Sequence, residues 1–199
     1  MIDFTAFRLG KQPFAELVAP VTYRDLYSFT NAMIDTMRAL LVDVSDHDVS
    51  FVPEDPAAQD PFAANPEDIH RPWTLGHVIV HATASGEESA ALALTLARGI
   101  VVEGRSRYEV PWERIHTVEQ LMRRLDESRR IRLGMLDAWP DPPHLDVTYT
   151  PNIRTLTGPV NAIGRFVLGL NHDDVHLDQI RSILAQAHQH RMLHGTRNR

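Results

Sequence analysis

The stretch Trp73-Thr74-Leu75-Gly76-His77-Val78-Ile79-Val80-His81 decides the reading of the fold. Pro72 and Trp73 lead in, Thr74 stands where a helix N-cap belongs, and Gly99 follows the last turn of the segment it opens. The middle of that segment is rich in alanine and leucine, which predicts a helix over 74–98 buried on several sides. Histidine inside so apolar a helix costs desolvation unless it finds a partner. His77 and His81 stand four residues apart, so both fall near one face. His77, in the first turn near Trp73, also suits a capping or surface role.

Three further segments read as helices. Over 22–41, Leu26, Phe29, Met33, Ile34, Met37, Leu40 and Leu41 recur at the spacing of one helix face. Over 118–139, Thr117 and Gln120 form a capping-box pattern, and Pro140, Pro142 and Pro143 close the segment. Its Arg123, Arg124, Arg129 and Arg130 read as solvated. The fourth helix spans about 160–191, with Pro159 at its start and Gly195 after its end. About thirty proline-rich residues from Asp43 to Pro72 separate the first two helices, and β-prone patches occur at Gly99–Val102 and Val147–Tyr149. Loops this long in a compact domain usually carry function. The expectation is an all-α fold, a four-helix bundle with long crossover loops, in a single domain over 1–199. Residues 1–19 are expected to form an N-terminal arm and 192–199 a flexible tail.

Composition narrows the function. The 199 residues are 43% hydrophobic and 23% charged, ordinary for a globular chain, and the net charge of −6 argues against a general nucleic-acid binder. No apolar run reaches membrane-spanning length, and Met1 to Lys11 lacks the pattern of a signal peptide, so a cytoplasmic location is expected. There is no cysteine, and there are 11 histidines. Any transition metal must therefore be held by imidazole or carboxylate.

The fourth helix carries a second pair, His172-Asp173-Asp174-Val175-His176. Two imidazoles four apart on a helix can grip one ion, because the helix fixes both before the ion arrives. Two such pairs on helices expected to pack together favour a metal site over chance. Glu88, seven residues beyond His81, is too far along the axis to share that ion but could orient a substrate or a ligand. Asp173 falls among Phe166, Ile180 and Leu184 on the helical wheel, a place for a buried acceptor that orients a ligand imidazole. Glu67-x-x-His70 and Glu113-x-x-His116 match a di-iron motif but lie beside Pro72 and Pro111 rather than inside helices. Asp46-His47-Asp48 reads as a solvated loop cluster, and His188, His190 and His194 as an exposed tail.

Trp73-Thr74-Leu75 with His81 eight residues after the tryptophan resembles the second helix of the DinB/YfiT-like four-helix-bundle superfamily. His172-x-x-x-His176 followed by Leu177, Gln179 and Ile180 resembles its fourth. The resemblance implies that His81, His172 and His176 bind a divalent ion such as nickel or zinc, leaving coordination positions open. His77 has no counterpart among the family's ligands, and Thr83, Ala84 and Ser85 stand where its acidic residue is common. Relatives of this kind include S-transferases using bacillithiol or mycothiol, and a mycothiol-dependent maleylpyruvate isomerase. The resemblance therefore implies a metal-dependent enzyme acting on a small molecule, a thiol transferase ahead of a hydrolase, with a low-molecular-weight thiol as co-substrate and a homodimer plausible by family habit. Two other readings compete. One is a non-catalytic bundle that binds a small ligand or a partner helix, with a vestigial metal site. The other is a closed structural site completed by His77.

Overall fold

The computed structural model describes residues 1–60, 63, 65–102, 109–151 and 158–195. Four long helices form the bundle: α3 (Tyr23–Leu40), α5 (Leu75–Ala97), α6 (Val118–Asp137) and α7 (Ala162–Gly195). Three short ones precede or interrupt them: α1 (Thr5–Arg8), α2 (Phe14–Val18) and α4 (Asp46–Val49). Helix α5 packs most extensively on α7 and then on α6, while α3 packs on α6 and α7. The four thus form a ring in which α6 and α7 stand diagonally opposed.

The caps show why the helices begin and end where they do. Thr74 Oγ1 accepts the backbone N–H of His77 at 3.2 Å, starting α5. Its end is a left-handed Gly99 at φ +81°, with Gly99 N donating to Leu96 O and Ile100 N to Thr95 O. That paired pattern satisfies the last carbonyls, and a side chain at Gly99 would strain it. At α6 the capping box forms: Gln120 N donates to Thr117 Oγ1 at 3.2 Å, and Thr117 N to Gln120 Oε1 at 3.0 Å. Helix α7 starts two residues later than the sequence predicts. Val160 instead makes an antiparallel bridge with Tyr149, and Asn161 Oδ1 accepts from Gly164 N at 3.1 Å. This bridge is all that comes of the two β-prone patches among the described residues, because Gly99–Val102 pairs with no strand.

Helix α5 is apolar on nearly every side and buries Leu75, Val78, Ile79, Ala82, Ala90, Ala93 and Leu96. Its register against α7 is set by small residues. A Cβ on Gly169 would fall 2.6 Å from Ser89 Cβ, so only glycine lets the two helices approach there. The N-terminal segment is structured: Phe4 and Phe14 enter the core, and Arg8 pairs with Asp174 of α7 at 2.5 Å. Helix α7 continues through Gly195, four residues past the expected end, while residues 196–199 and the side chain of His194 lie outside the described residues. No helix among the described residues is long and apolar enough to cross a membrane.

Two expectations about charge need correction. Arg124 is buried, not solvated, because Glu87 on α5 faces it and Glu127 adds a second contact at 2.7 Å. Asp46-His47-Asp48 is no solvated loop. It forms α4, with Asp48 buried and paired to Arg191, and Asp46 Oδ1 accepting the Val118 N–H at 2.8 Å. His47 in turn stacks on His190, which also leans on Phe51.

Candidate metal centre

The antiparallel packing of α5 on α7 brings His81 against His172 and His176. One ligand-type atom from each lies within 4.8 Å of the others, and all three side chains are half-buried. His81 Nε2 and His172 Nε2 are 3.2 Å apart. Two imidazole nitrogens on one tetrahedral ion, each at about 2.0–2.1 Å, stand about 3.3 Å apart. The His81–His172 spacing thus matches that of two ligands on one divalent ion, with His176 within reach of the same point.

Two of the three histidines have their Nδ1 on an acceptor. His81 Nδ1 lies 3.0 Å from Glu109 Oε1. His176 Nδ1 lies 2.8 Å from Gln179 Oε1. An acceptor on Nδ1 fixes the tautomer that offers the Nε2 lone pair and raises its basicity. Glu109 escaped the sequence reading. It lies 28 residues beyond His81 on a connecting loop, and no spacing rule relates the two. Gln179 sits one helical turn after His176, a spacing that could have revealed it.

His77 is not brought into the cluster. Its ring is sandwiched between Trp73, with centroids 4.4 Å apart at 23°, and Trp112, at 4.7 Å and 5°. Desolvation there pushes its pKa down to about 4, so the ring is neutral. The sandwich also forms a wall of the centre, because Trp73 lies 4.6 Å from the His81 ring and 6.0 Å from that of His176. A site closed by His77 is therefore not what the fold builds.

Asp173 is buried, as expected, but orients no ligand imidazole. Its carboxylate forms a two-point pair with Arg132 of α6, including Arg132 Nη2 to Oδ1 at 3.2 Å. Burial raises the Asp173 pKa while Arg132 pulls it back. Arg132 also donates from Nε to Ser128 Oγ at 3.0 Å. It reaches Asp173 across the bundle past Gly86, where a Cβ would fall 2.0 Å from Arg132 Nη2. Glu88 lies two turns beyond His81 along α5, outside the cluster, where its charge acts on Tyr149. Neither Glu-x-x-His copy joins the centre: Glu67 and Glu113 sit on 3-10 turns, and His70 Nδ1 lies 3.2 Å from Ala58 O.

Two cavities among the described residues bear on where a ligand could sit. One of about 230 Å³ opens beside His176 and Trp73. A larger one of about 330 Å³, walled by Phe14, Val18, Ile163 and Gly164, lies at the start of α7, remote from the histidines. The family model described as DinB superfamily matches residues 30–180, which include all four bundle helices in whole or in large part. No curated protein and no solved structure matches the chain.

Proposed function

This chain belongs to the DinB superfamily, and we propose that His81, His172 and His176 hold a divalent metal ion, nickel or zinc, at the centre of a metal-dependent enzyme. One observation carries the reading: three imidazoles from two helices converge, with Nδ1 of two of them already on acceptors. Three neutral ligands leave the full charge of the ion in place and leave positions open, as catalytic rather than structural sites do. An ion held there would act as a Lewis acid, lowering the pKa of a bound water or thiol.

The protein's own residues supply position and shelter. Glu109 and Gln179 aim the ligands, and Trp73 screens one side from water. An open three-histidine ion suits activation of a water or of a thiol alike, and it is the resemblance to thiol-dependent members of the superfamily that places an S-transferase type ahead of a hydrolase in our reading. Its thiol must be an external, low-molecular-weight one, since the chain has no cysteine.

Metal analysis of protein purified without a histidine tag tests the reading. One equivalent of divalent metal is expected in the wild type, with loss in His172→Ala. Sub-stoichiometric metal in the wild type, or full metal in the variant, refutes it.

A further inference from the structure

We propose that the cavity beside His176 receives the anionic end of a small carboxylate-bearing substrate, with Arg71 as its counter-charge and the metal centre as its second anchor. The proposal rests on the metal reading above and names the substrate class that the centre serves.

The polar lining of this cavity is biased toward donors. Arg71 is the basic side chain on its wall. Gln179 also lines it, and its Oε1 is engaged by His176 Nδ1 at 2.8 Å, so the rest of that amide is N–H donor. The acid on the wall, Asp55, has its Oδ1 occupied by the Ala57 N–H at 3.1 Å within its own turn. An ion held by the three neutral imidazoles would add positive charge at the His176 side. A ligand that turns an acceptor-rich anionic group toward Arg71 and the Gln179 N–H matches this side of the cavity.

Arg71 is also held in place before any ligand arrives. Its guanidinium carbon sits 5.0 Å from the Trp112 ring centroid. Its Nη1 donates to Asp68 Oδ1 at 3.1 Å, which occupies one edge of a planar group bearing five N–H donors. Trp112 rests on His77 and His77 on Trp73, so the arginine is built onto the same stacked wall that flanks the histidines. Fixing a rotamer-rich side chain in advance lowers the entropic cost of binding. The volume, about 230 Å³, limits the occupant to a small molecule.

The test uses malonate, succinate, glutarate and adipate, each compared with its half-amide, on the Co(II)-loaded protein. The visible Co(II) spectrum reports coordination at the metal, and tryptophan emission reports the cavity, because Trp73 lines it. At the best chain length the dicarboxylate is expected to bind about tenfold more tightly than its half-amide. Arg71→Gln is expected to erase that preference while taking up Co(II) with an unchanged spectrum. Equal binding of acid and half-amide in the wild type, or a preference kept in Arg71→Gln, overturns the proposal. The failure of the metal reading looks different: no Co(II) spectrum appears at all. In that event the anchor at the metal is lost, and a saturable, Arg71-dependent emission change with the dicarboxylates alone still decides whether the cavity takes anions.

Discussion

Replacing Asp173 by alanine leaves Arg132 buried in the bundle with its charge uncompensated. The guanidinium keeps Ser128 Oγ at 3.0 Å and a long contact to Thr83 O at 3.5 Å, neither of which is charged. The two side chains are 1% and 0% exposed, so water cannot replace the lost carboxylate. Breaking a buried pair in this way costs about 3–5 kcal/mol. For a domain of this size that lowers the melting temperature by roughly 6–20 °C. Replacing both partners with apolar side chains of similar size, Arg132→Met with Asp173→Leu, removes the uncompensated charge together with the pair. The double variant should stand within about 1–2 kcal/mol of the wild type or above it. Urea unfolding of the wild type, Arg132→Met, Asp173→Leu and the double variant at neutral pH measures the cycle, with Asp173→Ala and metal affinity read alongside. Because Asp173 lies between His172 and His176 on α7, the single variant should also weaken metal binding. Single variants costing under about 1 kcal/mol, or a double variant equal to the sum of the singles, would refute a buried pair that spans the bundle.

Glu109→Ala should weaken metal affinity about 10–100-fold by freeing His81 to rotate, with Glu109→Gln recovering part of it; competition with a chromophoric chelator measures both. His77→Ala should keep full metal occupancy while His81→Ala loses it, as elemental analysis would show, because the ring of His77 is committed between two tryptophans. Acid stability carries the same signature. The folded pKa of His77, about 4, lies below its ordinary 6.5, so the folded form binds fewer protons between those values. Stability is therefore full above pH 6.5 and falls as pH drops toward 4, by up to about 3 kcal/mol. In His77→Phe, unfolding followed from pH 7 to pH 4 should lose that much of the slope. Gly86→Ala should destabilise by about 1–3 kcal/mol despite the helix propensity gained, since the added Cβ meets Arg132; thermal unfolding decides the sign.

Much of this was legible in the chain. The four bundle helices follow from apolar spacing, and their boundaries from Thr74, Thr117 and Gly99, because caps and periodicity act within a few residues. The pair His172 and His176 follows from helical pitch alone. Reading one helix at a time misplaced the residues whose partners lie elsewhere. Arg124 reads as solvated until Glu87 of α5 is set opposite it, and Asp48 reads as loop until Arg191 reaches it from the far end of α7.

By itself the sequence determined that the fold is helical, roughly where its four long helices run, and that imidazole or carboxylate rather than thiolate must carry any metal chemistry. The tertiary structure decided which histidines meet. The glycine-and-serine contact of Gly169 with Ser89 sets α5 against α7 so that His81 falls opposite His172. It also decided what holds them, Glu109 from a loop and Gln179 from the next turn, and it withdrew His77 into a tryptophan sandwich and Asp173 into a pair with Arg132. The physical reason is range. Backbone hydrogen bonding and helical pitch are local and can be counted along a chain, whereas desolvation and charge pairing depend on whatever the fold places alongside.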